Sequence, residues 1–196
     1  MTQLRIDPSK PRVDPLPFFA AFEAAAFVIP IGSDLGENDA RMAKEIYARA
    51  SRYSNVLFAI NSDGGDPRQI GLINELILDL MDTKIQDNNI DVRAVVRNKC
   101  FSAAMTIFMT FPASARYCSY VSRFLIHSVH FGRDAPKLNP DEMRQLSFIN
   151  RHYVIDAISE NTLISQESLQ EVVDAGKDIY ISAPEALELG IVSAIV

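Results

Sequence analysis

Residues 55–67 read NVLFAINSDGGDP, and the fold turns on this stretch. Val56–Ile60 is an unbroken apolar run rather than an alternating one, which suits a strand covered on both faces. Gly64 and Gly65 follow as a turn. Asp66 stands at a helix N-cap and Pro67 at the first helical position. Ile70, Ile73, Ile77 and Leu80 then recur at helical spacing and form an inner stripe. A buried strand, a glycine turn and a capped helix make one βα unit.

The same alternation extends in both directions. Upstream, AFVIPI (26–31) is a short strand, and GENDARMAKEIYARAS (36–51) is a helix with Asn38 or Asp39 as its cap. Downstream, DVRAVV (91–96) is a strand and SAAMTIFMTF (102–111) a short buried helix opening at Ser102. RYCS (116–119) and RFLIH (123–127) read as strands, and a long helix begins near Pro140. SQESLQEVVDAG (165–176) is a helix with Ser165 as cap and Gly176 as stop. SAPEALELG (182–190) has the capping-box spacing Ser182 to Glu185 and stops at Gly190, and IVSAIV (191–196) closes as a strand. Strands alternating with helices imply right-handed crossovers and an α/β fold with a mostly parallel sheet.

The chain has 196 residues, enough for one well-filled domain. Residues 1–17 hold four prolines and scattered charges. They are expected to be a flexible or partner-ordered arm, with the single domain spanning 18–196. A net charge of −6 argues against nonspecific nucleic-acid binding, which needs a basic footprint. Cys100 and Cys118 have no metal-ligand spacing and form no disulfide framework, so two reduced thiols are expected. No apolar run is long enough for a signal segment or a membrane span, so a soluble, cytoplasmic protein with no membrane partner is expected.

There are three histidines. His127 ends an apolar strand, where sites assemble in α/β sheets; His130 follows closely, and His152 lies within the long helix. Ser102 opens a helix and reads first as a cap. A helix start also presents unpaired N–H groups to a bound oxyanion, which suits a nucleophile there. The pair Gly64–Gly65 is either a plain tight turn or a backbone offering an unobstructed N–H. It matches neither phosphate-loop pattern. A carboxylate that could orient an imidazole is available at Asp174 or Asp178, and local sequence does not choose between them.

Together these pieces resemble the proteolytic subunit of the Clp protease, the ClpP family. FAINSDGGDP resembles its strand and glycine turn, usually Asn-Ser-Pro-Gly-Gly. SRFLIHS resembles its histidine strand, and DIYISAPEALELGIVSAIV its closing aspartate, capped helix and strand. The similarity runs from about residue 26 to the end. The resemblance implies a ClpP/crotonase-like fold with a protruding handle helix, supplied here by the long helix from Pro140. It implies Ser102 as nucleophile, His127 as general base and Asp178, rather than Asp174, as the orienting carboxylate. Backbone N–H groups of Gly65 and Ala103 would form the oxyanion hole. The implied activity is serine endopeptidase hydrolysis of unfolded polypeptides or peptides inside a self-assembled chamber, with no metal or cofactor in this chain. The implied assembly is a homo-oligomer of rings of seven stacked as a tetradecamer, fed by an ATP-consuming AAA+ unfoldase.

Several residues depart from the family pattern. Asp63 stands where proline is usual. Asn98-Lys99-Cys100-Phe101 replaces Gly-Gln-Ala-Ala, and Ala103-Ala104 replaces Met-Gly. SVHFGRDAPKLNPDE lacks the Gly/Gln-rich handle strand, and the arm is unlike the family's axial loops. The alternative is therefore a silent or weakly active ring subunit with a structural or regulatory role. A crotonase-type acyl-CoA enzyme would not need the Ser–His–Asp set. A signal-peptide-peptidase type would need a Ser–Lys dyad, and Lys99 lies too close to Ser102 in sequence to serve as its base.

Overall fold

The computed structural model describes residues 4–32, 48–50, 52–65, 70–86, 90–129 and 139–196. In chain order, α1 is Phe19–Ala25, β1 Phe27–Ile31, β2 Asn55–Ser62, α2 Ile70–Gln86 and β3 Asp91–Phe101. Then follow α3 Ala103–Met109, β4 Arg116–Cys118, β5 Arg123–Ile126 and α4 Pro140–Ile149. A π-helical segment, Asn150–Asp156, leads into α5 Ala157–Asn161. The chain finishes with α6 Gln166–Asp174, β6 Ile179–Ser182, α7 Ala183–Glu188 and β7 Ala194–Ile195. The expected caps at Asn38, Asp39 and Asp66, and Pro67 with them, lie outside the described residues, as does His130.

The sheet runs β1-β2-β3-β4-β7, and every pair along that path is parallel. This is the α/β architecture that the alternating pattern implied. β3 is longer than expected. The sequence reading ended at Val96, where Arg97, Asn98 and Lys99 break the apolar run. Past that point the strand changes partner: Lys99, Cys100 and Phe101 pair in parallel with Arg123, Phe124 and Leu125 of β5. β5 in turn pairs with β6, and this pair is antiparallel. A backbone ladder can carry a polar stretch that side-chain pattern alone would end.

Period-two alternation sorts the sheet residues between two cores. On one face Phe58, Ile60, Val96 and Cys118 join Ile73, Ile77 and Leu80 of α2. All seven residues of α3 are buried in that layer. On the other face Leu57, Val95 and Tyr117 pack with Phe22 of α1. The sequence did not reveal α1. It is short and held by tertiary contact, with the Phe19 ring 4.3 Å from that of Tyr117. Arg93 lies under it, nearly inaccessible, and is held by Asp91, the carbonyl of Pro17 and the Phe22 ring.

Residues 4–17 form almost no regular structure of their own, yet they lie along the body. Ile6 bridges Ile164, the N–H of Asp7 donates to the carbonyl of Leu163, and that of Arg5 donates to Ser168 Oγ. Lys10 Nζ reaches the carbonyls of Ser159, Thr162 and Ile164. Leu16 exchanges hydrogen bonds with Ser114 and Tyr117. A proline-rich segment cannot pair with itself, but the body supplies its partners.

The segment from Pro140 is helical to Asn161, with Asn139 as its cap. α4 buries none of its residues, and Met143 and Phe148 are both exposed. It is the projecting helix that the resemblance implied. Among the described residues, no helix is long and apolar enough to cross a membrane.

Candidate active site

Strands β3, β5 and β6 bring three side chains to one edge of the sheet. The β3–β5 register puts Phe101 opposite Leu125, and the next residue, Ser102, donates its N–H to the Leu125 carbonyl at 3.2 Å. The β5–β6 register puts Ile126 opposite Ile179, so His127 and Asp178 are the next pair in line. Residues distant in sequence therefore meet because two ladders, shared by three strands, end together.

Ser102 is not a helix cap. Its side chain makes no capping bond, and its backbone sits at φ 54°, ψ −123°. An L-residue at positive φ stores about 1–3 kcal/mol of strain, and such strain clusters at functional sites. A sharp turn of this kind between strand and helix thrusts a hydroxyl out of the sheet. Here Ser102 Oγ lies 2.7 Å from His127 Nε2. The other imidazole nitrogen, Nδ1, is 3.9 Å from Asp178 Oδ1, an ion-pair approach longer than a hydrogen bond. Asp178 is 55% exposed and His127 23%.

The competing candidates are engaged elsewhere. Asp174 accepts from Gln170 within its own helix. His152 sits 3.3 Å from Asp156 and against the Phe148 ring. Lys99 Nζ binds Asp63 at 2.9 and 3.2 Å and so is committed away from Ser102. Burial holds the Cys100 thiol well above its usual range, with the Cys118 charge adding to it. Burial also pushes Cys118 up to about 12. Neither presents a thiolate near neutral pH.

The glycine turn comes against the serine. The N–H of Gly64 donates to Ser62 Oγ at 3.1 Å. A Cβ added to Gly64 would lie 2.8 Å from both the Phe101 carbonyl and Ser102 Cβ, and 3.2 Å from the Ala103 nitrogen. With φ at +100° as well, this position admits only glycine. Gly65 and Ala103 line the same cavity as Ser102 and His127, a space of about 170 Å³. Its other walls are mainly apolar, including Met105, Leu125 and Tyr153.

One contributor carried no sequence signal. Asn150, at the start of the π-helical segment, is buried. Its amide accepts from the N–H of Val129 at 2.7 Å and donates to the Val129 carbonyl at 3.1 Å. It thereby pins the chain two residues after His127. π-Helical turns often mark functional sites, but nothing in the sequence distinguishes one from an ordinary helical turn.

With this geometry in view, comparison with known proteins decides the family. A sequence model of the family described as Clp protease matches residues 26–196. The chain belongs to the Clp protease family. No match was found among curated proteins. Among solved structures, the Clp-family fold is matched by an asparagine-to-aspartate mutant of ClpP1 from Listeria monocytogenes. That match has a TM-score of 0.69 at 20% identity and covers 90% of this chain and 94% of that one. The family match thus begins at Ala26, one residue before β1, and α1 and the arm precede the matched residues.

Proposed function

We propose that this protein is a serine endopeptidase of the Clp type that hydrolyses peptide bonds through an acyl-enzyme. The observation that carries the reading is Ser102 Oγ standing 2.7 Å from His127 Nε2 on a strained strand-to-helix turn. His127 takes the Ser102 proton as Oγ attacks the carbonyl carbon, then gives it to the leaving amine. Asp178 orients the imidazole and stabilises its cationic form, which requires the 3.9 Å gap to shorten. The N–H groups of Gly65 and Ala103 stabilise the oxyanion. Every step is completed by side chains and backbone of this chain with water. The apolar cavity beside Ser102 suits an aliphatic or aromatic side chain of the residue whose carbonyl is attacked.

Membership of the Clp family supports ring-forming oligomers of this chain, and we take these to be stacked rings of seven. An AAA+ unfoldase would supply both ATP hydrolysis and unfolded substrate, in the cytoplasm. A second reading has its own support. The long His127–Asp178 approach and the exposure of Asp178 suit a ring subunit that is silent or weakly active at rest.

Treatment of the purified protein with a fluorophosphonate, followed by adduct mapping, tests the first reading. Modification is expected at Ser102, lost in His127→Ala. Asp178→Asn should leave the fold intact and lower peptide turnover by orders of magnitude through the wrong imidazole tautomer. A folded protein that resists high probe concentrations would sink the peptidase reading. Native mass spectrometry tests assembly, with a strict monomer or trimer as the contrary result.

A further inference from the structure

The β2–β3 ladder loses its regularity just before the active site. Ile60 pairs with Val96, but Ser62 pairs with Cys100, so β3 carries extra residues and the register shifts. Beyond Ser62 the chain leaves the strand and turns through Asp63 into Gly64 and Gly65. This turn must stay close to Ser102, because Gly64 packs against the Phe101 carbonyl, Ser102 Cβ and the Ala103 nitrogen. The Gly64 N–H donates within the turn, to Ser62 Oγ.

A charge pair also reaches across from the turn to β3. Asp63 holds Lys99 Nζ through both carboxylate oxygens, at 2.9 and 3.2 Å. Lys99 Nζ also lies 5.9 Å from the centroid of the Phe101 ring, and that ring stands edge-on to Tyr180 of β6 at 5.9 Å. The side chain that anchors the glycine turn therefore belongs to the strand that ends at the nucleophile. It rests on an aromatic pair bridging to the strand that begins after Asp178. Both partners depart from the family pattern: Asp63 stands in place of a proline and Lys99 in place of a glutamine. A proline would restrict the turn through its ring; here a charge pair ties it down.

We propose that Asp63 and Lys99 are positioning residues that seat the Gly64–Gly65 turn against Ser102. This rests on the peptidase reading for its functional consequence, though not for its geometry. Neither residue touches the reacting atoms. Exposed pairs contribute little to global stability, and both side chains are more than 40% exposed. Rate is more sensitive than stability: oxyanion donors act over a few tenths of an ångström, and tenfold in rate needs only a small misplacement. Because the pair is exposed, salt should weaken it.

The test uses Asp63→Asn, Lys99→Met and the exchanged pair Asp63→Lys with Lys99→Asp. The first readout is amide hydrogen exchange of the 57–65 peptide in a Ser102→Ala background. Each single change should speed exchange at the turn at least fivefold, and the exchanged pair should return it to within about twofold of the parent. Raising sodium chloride from about 0.05 to 1 M should loosen the parent turn alone. The second readout is chemistry. Each single change should lower the fluorophosphonate labelling rate of Ser102 and the peptide kcat about five- to twentyfold, with KM within twofold. The exchanged pair should recover most of that loss. Unchanged exchange rates in the single variants, a loss confined to KM, or an exchanged pair no better than the singles would each overturn the proposal. A parent protein that is never labelled overturns the peptidase reading instead, and the exchange measurement then decides the pair by itself.

Discussion

Ser102 concentrates the conflict between stability and chemistry in one residue. Its positive φ costs energy that a glycine would avoid. Ser102→Gly is therefore expected to raise the thermal midpoint by about 2–4 °C, as about 1 kcal/mol of relieved strain does in a chain of this size, while abolishing labelling. An unchanged or lower midpoint in a scanning calorimeter would mean that the turn is not strained. The conformation was not legible in the sequence. Glycines are the usual flag for such a turn, and none flanks Ser102. The strain is enforced from outside, by Gly64 beneath it and the Leu125 carbonyl on its N–H. His127 was legible as a strand-end residue, whereas local sequence left Asp178 level with Asp174 and only the family resemblance chose between them. Their meeting depends on the antiparallel β5–β6 register, which no local pattern encodes.

At the scale of elements, what the sequence told best was where apolar runs and caps coincide. β2 matches its apolar run, and Ser165 caps α6. What it told poorly was decided by partners elsewhere: the second half of β3, the packing-dependent α1, and β7, which shrinks to two residues because β4 offers so short an edge. α7 is set by the expected box. Ser182 donates its N–H and its hydroxyl to Glu185 at 2.8 and 2.5 Å. Those bonds hold the Glu185 carboxyl below its usual value, despite some burial that raises it, with Arg123 also lowering it. A carboxyl depressed in the folded state stabilises above its unfolded pKa near 4.5, and that support is lost as pH falls through the folded value. Glu185→Ala should thus cost about 1 kcal/mol at pH 7 by urea titration. The gap between variant and parent should close in strongly acidic buffer. A gap independent of pH would assign the effect to helix propensity alone.

For the whole molecule, the arm is tied both to the middle of the chain and to its C-terminal third. Lys10 reaches three carbonyls near the end of α5, and Tyr117 with Arg93 holds the backbone at Leu16 and Pro17. Removing residues 1–16 should leave a folded Clp-type domain that is less stable by roughly 3 kcal/mol, the sum of several lost hydrogen bonds. Urea unfolding measures it, and an unchanged midpoint would mean that the arm rests on the body without supporting it.

This docking also sets an order of events during synthesis. Arg5 binds Ser168, 163 positions further along the chain. At ribosomal speeds of about 5–20 residues per second, the arm waits roughly ten to thirty seconds for its own landing site to emerge. For most of that interval residues 5–10 have no landing site, while Leu16 can already meet Ser114 and Tyr117 and the strands behind it can pair. Proline resists β-pairing with neighbouring chains, so the composition that denies the arm a structure of its own also protects the growing chain until its far end arrives to receive it.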